Sequence, residues 1–167
     1  MKETVKVGII GSQFISTIHA ESLARCQSAE MLAVASPSNG NAKSFAAKHD
    51  IPHHFTDYRE LLAMSEIDMV VIGIPNHVHC EAVVAAAEAG KHIVIEKPLC
   101  LNMEEADLMV EAAKKADVKL MYAEELCFAP KYVRLKQLLD SGALGKPTLI
   151  KQSEKHDGPH APHFWDV

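Results

Sequence analysis

The sequence predicts an α/β fold, a doubly wound parallel sheet with helices on both faces. Strand-like and helix-like patterns alternate along the chain, as they do when helices join successive parallel strands. Residues 68–74 form a mainly apolar run, which is typical of a strand buried on both faces. A first strand candidate at residues 5–10 ends in Gly11, and apolar residues at helical spacing follow at once.

The opening strand and turn are typical of a dinucleotide-binding unit, in which a buried strand turns tightly into a helix whose N-terminus faces a phosphate. The glycine fingerprint G-x-G-x-x-G would place glycines at positions 11, 13 and 16, whereas this chain has Gly11, Gln13 and Ser16. A glycine at the second position lets the backbone approach the pyrophosphate, so Gln13 is expected to affect how tightly that group is held. Ser16 is small enough to tolerate the contact between helix and strand.

The remaining elements are predicted from the same patterns. Capping-box pairs at Asp57/Glu60 and Asn102/Glu105 begin two helices, and Gly90 ends another. In chain order, strands are predicted at 31–35, 53–55, 68–74, 92–95 and 119–123. Helices are predicted at 15–26 (apolar face Ile15, Ile18, Ser22 and Cys26), 42–49, 57–64, 79–89, 102–113 (buried face Ala106, Met109, Val110 and Ala113) and 130–142, with Pro130 in the first turn of the last one. Residues 148–153 alternate like a half-exposed strand.

The composition excludes several classes of protein. The 167 residues are 48% hydrophobic and 23% charged, an ordinary globular balance that suffices for one sizeable core. The net charge of −5 provides no basic surface for nucleic acid, and no apolar run is long enough to span a bilayer. The N-terminus leads straight into a strand without a leader pattern. We therefore expect a cytoplasmic protein that binds neither nucleic acid nor membranes.

The four cysteines, Cys26, Cys80, Cys100 and Cys127, are far apart in sequence and lie in or beside apolar segments. They are expected to be buried free thiols, because a disulfide framework is unusual in a chain of this size and style.

Four segments that follow predicted strands are expected to converge: 11–15, 36–39, 74–76 and 96–98. Ligands of open parallel sheets bind beyond the carboxyl ends of the strands, so this convergence predicts a binding crevice. The charged pair Glu96-Lys97 follows four strand residues directly and would lie at the rim of that crevice. The alternative for this pair is a solvated surface position without a function.

At these positions the sequence resembles the Gfo/Idh/MocA oxidoreductases, the glucose–fructose oxidoreductase and inositol dehydrogenase group. The most specific match is Glu-Lys-Pro at 96–98, after Ala-Gly-Lys-His at 89–92. The resemblance covers essentially the whole chain. The other matching segments are Gly8-Ile9-Ile10-Gly11 with Phe14-Ile15, Pro75-Asn76 with His79, and 141–146, which matches the family's join between two domains.

The resemblance implies a Rossmann-type domain of an oxidoreductase that uses NAD or NADP and transfers hydride to or from a sugar, polyol or related carbohydrate. In the family, the lysine of Glu-Lys-Pro lies beside the nicotinamide and the reacting carbon. Lys97 is therefore the candidate catalytic residue, which would hold or polarise the substrate oxygen and assist proton transfer. The candidate cofactor-binding residues are Gly11, Gln13, Phe14, Ile15, Ser36, Ile74, Pro75, Asn76, His79, Glu96 and Lys97.

Within that set, Glu96 and Asn76 would line the nicotinamide-ribose end. His79 either faces the cofactor or is a histidine on the helix surface. Ser36 stands where an acidic residue usually grips an unphosphorylated ribose, and no arginine follows for a 2′-phosphate. The sequence therefore leaves the choice between NAD and NADP open.

The resemblance also implies two domains. Residues 1–145 would form the dinucleotide-binding domain, and 146–167 would begin a C-terminal α/β domain that supplies further catalytic residues and usually the oligomer interface. We expect the 167-residue chain alone to lack normal turnover. We also expect it to self-associate through the apolar face that would meet the further sheet.

The tail from residue 156 onward leaves three alternatives open. His156 and His160 resemble residues of a substrate-side loop in some members of the family. Together with His163, Asp157 and Asp166 they could instead be metal ligands, although their spacing matches no standard zinc pattern. The third alternative is a tail without a fixed structure.

A second function from another class is a non-catalytic, nucleotide-binding regulatory protein on the same fold. The family includes such members, and the altered fingerprint at Gln13 and Ser16 is compatible with this alternative. The presence of both Lys97 and Asn76 favours the enzyme. A third alternative is a structural domain that binds nothing.

Overall fold

A computed structural model describes residues 4–153 of the chain. The contacts between residues divide it into two compact units, one ending at Glu124 and the other beginning at Glu125. The first unit contains a six-stranded sheet in which every neighbouring pair of strands is parallel. In chain order its strands are β1 (Val5–Ile10), β2 (Ala29–Ala35), β3 (His53–Phe55), β4 (Met69–Ile72), β5 (His92–Glu96) and β6 (Leu120–Ala123).

The strand order is β3-β2-β1-β4-β5-β6, so the winding direction reverses between β1 and β4. In a doubly wound sheet, the crevice at this reversal is where ligands bind, beyond the carboxyl ends of the strands. The predicted fold class is therefore confirmed. The joining helices are α1 (Phe14–Leu23), α2 (Asn39–Lys48), α3 (Tyr58–Leu62), α4 (His79–Glu88) and α5 (Met103–Lys115), and a short 3₁₀ turn spans Asn76–Val78.

The core lies in two layers, one on each face of the sheet. Ile9 and Ile10 are successive residues of β1 but belong to different apolar clusters, because successive side chains of a strand point to opposite faces. Ile9 packs with Ala20 of α1 and with Phe45 of α2. Ile10 belongs to the larger cluster, which contains residues of α3, α4 and α5. Burial on both faces explains why the central strands are apolar throughout.

Helix α1 differs from its predicted form. It ends at Leu23, so Cys26 lies beyond it, and Ile18 is exposed. The fully buried positions are the small residues Ser16 and Ala20. A helix that lies this close to the ends of the strands needs small side chains on its inner face, which a search for large apolar residues does not find. Val110 of α5, also predicted to be buried, is exposed.

The two capping-box predictions have different outcomes. Asn102 Oδ1 accepts a hydrogen bond from the Glu105 N–H at 2.8 Å, and Glu105 Oε2 accepts from the Leu101 N–H at 2.9 Å, so this helix end is capped reciprocally. Asp57 caps α3 by accepting from the Arg59 N–H at 2.9 Å. Helix α3 ends at Leu62, two residues before its predicted end.

The described part of the second unit consists of a 3₁₀ turn at Glu125–Phe128 and the helix α6 (Pro130–Asp140), with Pro130 at its first position as predicted. The strand predicted at 148–153 is absent from the described residues. Successive residues Leu149 and Ile150 are both largely exposed, so the alternation does not place one set of side chains in a core. No strand of the described residues pairs with this segment.

No disulfide joins the four cysteines, all of which lie within residues 4–153, but their predicted burial is wrong. Cys26 and Cys127 are exposed because they lie outside the regular helices and strands, and Cys80 and Cys100 are half-buried. In the described part of the chain, no helix combines the length and apolarity needed to cross a membrane.

Lys91, in the Ala-Gly-Lys-His segment, is a buried lysine with a structural role. Its Nζ donates hydrogen bonds to the carbonyl oxygens of Met64 at 2.7 Å and Ile67 at 2.9 Å. These bonds fix the loop that leads from α3 into β4. Burial lowers the pKa of Lys91, partly offset by Asp68 and Glu66.

The ends of β1 and β4 approach each other more closely than side chains allow. Gly11 has a φ of +114°, and a Cβ atom there would lie 2.2 Å from the carbonyl oxygen of Gly73. The Gly73 N–H donates to the Ile10 carbonyl at 2.8 Å, and the Gly11 N–H donates to the Ala35 carbonyl at 2.8 Å. The turn after β1 therefore requires glycine both for its backbone conformation and for space.

We predict that Gly11→Ala lowers the free energy of unfolding by about 3 kcal/mol, since it combines backbone strain with a collision against main chain. Gly90→Ala is the matched control, because Gly90 also has a positive φ, of +70°, but nothing lies within 4 Å of a Cβ there. Its expected loss is about 1 kcal/mol. Urea unfolding measures both values, and equal losses would show that the close approach at Gly11 is not a constraint.

Candidate dinucleotide site

A cavity of about 420 Å³ opens at the carboxyl ends of β1, β2 and β4. Its lining comes mainly from three loops that follow these strands, residues 10–13, 35–38 and 73–75, together with Asn41, Thr56, Tyr58, Val78 and Glu81. Three of the four segments that the sequence predicts to converge therefore meet in one cavity. The fourth segment, 96–98, follows β5, the strand next to β4.

The N-terminus of α1 is open to a ligand. Its N-cap residue is Gln13, whose side chain makes no capping hydrogen bond, and the first turn contains no acidic residue. The first N–H groups of a helix have no partner within the helix and carry a partial positive charge, so they suit a phosphate. Gln13 and Phe14 are exposed, and 77% of the surface of Phe14 is accessible.

Ser16 replaces the third glycine of the fingerprint without opening the contact between α1 and the sheet. It is fully buried, and its Oγ donates to the Gly73 carbonyl at 3.4 Å. A Cβ on Gly73 would lie 3.0 Å from this same Oγ. The expectation that serine fits this position is consistent with the geometry, because Gly73 supplies the space that a glycine at 16 would otherwise provide.

The end of β2 presents neutral polar groups to the cavity. Ser36 is buried, and its Oγ accepts a hydrogen bond from Ser12 Oγ at 2.8 Å. Ser38 caps α2 by accepting from the Asn41 N–H at 3.4 Å. Residues 36–41 contain neither a carboxylate nor a cationic side chain. This edge of the cavity therefore offers hydroxyl and amide groups to a ribose.

A charged cluster from α3 and α4 closes one side of the cavity. The hydroxyl of Tyr58 donates to Glu81 Oε1 at 3.1 Å, and the Arg59 guanidinium contacts the same carboxylate. Burial and the hydrogen bond to Glu81 raise the pKa of Tyr58. These residues were not predicted as part of the site, because nothing in the spacing of residues 58, 59 and 81 indicates that they meet.

At the end of β5, Glu96 is a buried carboxylate, and each of its two oxygens accepts a hydrogen bond from the protein. His19 Nε2, from α1, donates to Oε1 at 2.8 Å, and the Lys97 N–H donates to Oε2 at 3.0 Å. Only 5% of Glu96 is exposed. Burial alone raises the pKa of this carboxyl, but the bonds from His19 and Lys97 outweigh it and lower the pKa overall. Glu96 is therefore held in its ionised form.

Lys97 itself points into open space. Its side chain is exposed, and among residues 4–153 no hydrogen bond or ion pair occupies its ammonium group. The peptide bond between Lys97 and Pro98 is cis. An exposed ammonium at the carboxyl end of a central strand can donate hydrogen bonds to an oxygen of a small ligand.

His79 is buried and lies outside the lining of the cavity, with 1% of its surface exposed. Its Nε2 lies 2.8 Å from the Ile74 carbonyl oxygen, and its Nδ1 lies 3.0 Å from that of Pro98 and 3.1 Å from that of Leu99. This contradicts the alternative of a histidine on the helix surface. Both ring nitrogens face main-chain acceptors, which leaves neither for a ligand.

The structure thus divides the predicted site residues into groups. Those that line the cavity are Gly11, Gln13, Ser36, Ile74 and Pro75, and those outside its lining are Phe14, Ile15, Asn76, His79, Glu96 and Lys97. His156 and His160 lie outside the described residues, as do the other tail residues considered as metal ligands. Within residues 4–153 no three His, Cys, Asp or Glu side chains form a group that could hold a metal.

Comparison with known proteins agrees with this geometry. A family model, Gfo/Idh/MocA, described as an oxidoreductase family with an NAD-binding Rossmann fold, matches residues 5–124. The matched range ends at the same residue as the first compact unit.

Two curated relatives and one solved structure illustrate the similarity. The chain is 32% identical over 155 residues to myo-inositol 2-dehydrogenase of Thermotoga maritima, covering 93% of this chain and 46% of the relative. It is 38% identical over 135 residues to the NADP⁺-dependent scyllo-inositol 2-dehydrogenase IolU of Bacillus subtilis, covering 81% of this chain and 41% of the relative. The structure of scyllo-inositol dehydrogenase from Lactobacillus casei with bound NAD(H) and scyllo-inositol aligns with a TM-score of 0.80 at 28% identity. The alignment covers 86% of this chain and 43% of that one. The chain therefore spans less than half the length of each of them.

The ionised state of Glu96 predicts how stability depends on pH. Because the folded pKa lies below the usual value of 4.5, the carboxylate stabilises the fold above that value and loses its contribution as the pH falls through the lowered pKa. We expect Glu96→Gln to have a lower free energy of unfolding than the wild type. This difference should be largest above about pH 5 and should shrink towards about pH 3.

Urea unfolding over this pH range makes the comparison. Glu111→Gln serves as the control, since Glu111 is exposed on α5 and should give a small difference at every pH. A difference for Glu96→Gln that grew as the pH fell would contradict the assignment.

Proposed function

The chain belongs to the Gfo/Idh/MocA family of oxidoreductases, and we propose that it is the dinucleotide-binding part of an enzyme that transfers hydride between NAD(P) and a sugar, polyol or related carbohydrate. The family model covers residues 5–124, which include the cavity and the Glu-Lys-Pro segment. The relatives named above act on inositols, so a polyhydroxylated ring is the substrate class that best fits the proposal.

The observation that carries this proposal is the cradle at the ends of β1 and β4. A Cβ at Gly11 would collide with Gly73, and these two glycines, which present main chain without side chains, both line the cavity. The uncapped N-terminus of α1 opens onto the same place. A bare main chain beside a free helix N-terminus suits a pyrophosphate, and the residues present therefore fit a dinucleotide.

Gln13 would take part in that contact. Its side chain is exposed and is not used as a helix cap, so the amide group can donate a hydrogen bond to a phosphate oxygen. This side-chain amide of Gln13 would then take the place of the direct contact between main chain and pyrophosphate that a glycine permits. The hydroxyl groups of Ser36 and Ser38 would face the adenosine ribose. Because no carboxylate lies at the end of β2, the 2′-phosphate of NADP would meet no negative charge there. The site would then accommodate either NAD or NADP.

A bound nicotinamide dinucleotide would supply or accept the hydride at the reacting carbon of the substrate. We propose that Lys97 acts on the substrate oxygen at that carbon. Its exposed ammonium can donate a hydrogen bond to a carbonyl oxygen and give that oxygen its proton as hydride reaches the carbon, and in the reverse direction the neutral amine would take the hydroxyl proton as hydride leaves. Asn76, at the start of the 3₁₀ turn after β4, and the exposed ring of Phe14 would lie along the path of the cofactor.

The substrate pocket would be completed by a further domain. The relatives are more than twice as long as the matching part of this chain. We propose that the segment from residue 146 onward begins a substrate and oligomerisation domain and that His156 and His160 belong to its substrate side. Turnover by the 167-residue chain alone is not expected under this proposal. The regulatory alternative is not favoured, because several relatives that the chain matches are named as inositol dehydrogenases.

A titration tests the proposal directly. The nicotinamide fluorescence of NADH, of NADPH or of both should increase when the chain is added, with a dissociation constant below about 1 mM. Gly11→Val should remove this binding, whereas Gly142→Ala should leave it unchanged, since Gly142 also has a positive φ but belongs to the second unit. Absence of binding by the wild type at millimolar cofactor would refute the proposed function of this chain.

A further inference from the structure

We infer that His19 and His79 are positioning residues that together hold the segment Glu96–Leu99, called here the lysine segment, so that Lys97 is presented to the nicotinamide end of the site. The inference rests on the proposed function, since it concerns the proposed reactive lysine. Neither histidine lines the cavity. The first was not expected to take part in the site at all, and the second was expected to contact the cofactor or solvent.

The first anchor acts on the start of the lysine segment. His19 lies on α1, and its Nε2 donates to Glu96 Oε1 at 2.8 Å. Glu96 Oε2 accepts the main-chain N–H of Lys97 at 3.0 Å. The carboxylate therefore links a helix on one face of the sheet to the backbone of the lysine. Because hydrogen bonds to an ionised group are the stronger ones, this link restrains the orientation of the Lys97 peptide.

The second anchor acts on the end of the lysine segment. His79 lies at the start of α4, and its Nδ1 faces the carbonyl oxygens of Pro98 and Leu99 at 3.0 and 3.1 Å. On the other side of the ring, Nε2 faces the Ile74 carbonyl oxygen at 2.8 Å. A neutral imidazole donates from one nitrogen, and a protonated one donates from both. The ring therefore lies between the loop after β4 and the loop after β5, and it hydrogen-bonds to one of them when neutral and to both when protonated.

The two anchors leave the reactive group itself untouched. They bind Glu96, the Lys97 N–H and the carbonyl groups of Pro98 and Leu99, while the Lys97 ammonium is exposed and has no partner among the described residues. A lysine side chain has four rotatable bonds, so the positions that its ammonium group can reach depend on where the backbone places its Cα atom. A fixed backbone with a free ammonium is the arrangement that a lysine needs to act on a small ligand.

The alternative is that Glu96 and His79 contact the cofactor directly. Both carboxylate oxygens of Glu96 are occupied by protein donors at hydrogen-bond distance. Both nitrogens of His79 face carbonyl oxygens, and the residue is 1% exposed. Each oxygen of Glu96 can accept a further hydrogen bond, but Glu96 is only 5% exposed, so a direct contact with either residue would require the packing around it to open. Acting through the backbone of Lys97 requires no such rearrangement.

The test compares two ligands that differ at one end. NADH contains the nicotinamide, and ADP-ribose contains the adenosine, the pyrophosphate and the second ribose without it. We expect His19→Phe, which keeps a ring but removes the donor, to weaken NADH binding about tenfold and to change ADP-ribose binding less than about twofold. His19→Gln retains an N–H donor and should restore NADH binding to within about threefold of the wild type.

Isothermal titration calorimetry measures both affinities, and a thermal melt of each variant reports folding. His54→Gln is the matched control, because His54 is an exposed histidine on the edge strand β3, outside the cavity lining. His79→Phe is the second disruptive variant and should show the same selective loss of NADH. Because His79 is fully buried, the binding result for His79→Phe is used only if the melt shows that this variant is folded. If it is not folded, the two His19 variants alone test the inference.

Each outcome has a definite meaning. Selective loss of NADH with rescue by His19→Gln supports the inference. Equal weakening of both ligands by His19→Phe would show a general structural role and overturn it. So would unchanged affinities for both ligands, although in that case the dinucleotide site itself would stand. A wild type that bound neither ligand would overturn the proposed function and this inference with it.

Discussion

The close approach of the main chain at Gly11 to the main chain at Gly73 is the constraint on which the site depends. These two residues follow β1 and β4, the strands between which the winding of the sheet reverses. A Cβ atom at Gly11 would lie 2.2 Å from the Gly73 carbonyl oxygen, well inside the van der Waals contact distance of the two atoms. The absence of both side chains lets α1 begin immediately beyond the sheet, with Ser16 packed against Gly73. The open N-terminus of α1 and the cavity beside it follow from this geometry.

The other half of the site is built by a different principle. The segment after β5 is anchored by side chains that cross from the neighbouring helices, His19 through Glu96 and His79 through the Pro98 and Leu99 carbonyls. The end of the site at Gly11 thus depends on the absence of side chains, whereas the end at Lys97 depends on side chains that are buried and hydrogen-bonded. Glu96 shows why the pairing matters, because burial alone would favour its neutral form and the two hydrogen bonds reverse that preference.

The sequence predicted the parts of this arrangement that depend on local patterns. Buried parallel strands are apolar throughout, so they were found, and Gly11 was found because a tight turn from strand to helix needs it. The contact between His19 and Glu96 joins residues 77 positions apart, and no spacing indicates it. Ile18 was expected to be buried because it is large and apolar, whereas the short distance from α1 to the sheet admits only small residues. The strand predicted at 148–153 failed because alternation alone does not supply a pairing partner.

The measurement that tests the account most directly is a titration of the ¹⁵N-labelled chain with NADH, followed through its amide resonances. A dinucleotide lying across the cradle should shift the amides of residues 11–15, 36–41 and 73–76 in a saturable way, together with the Lys97 amide at the other end. Amides at the opposite ends of the strands, such as those of Val5 and His92, should stay unchanged. Saturable shifts that excluded Gly11 and Gly73 would contradict the account, because the ligand would then bind elsewhere on the fold.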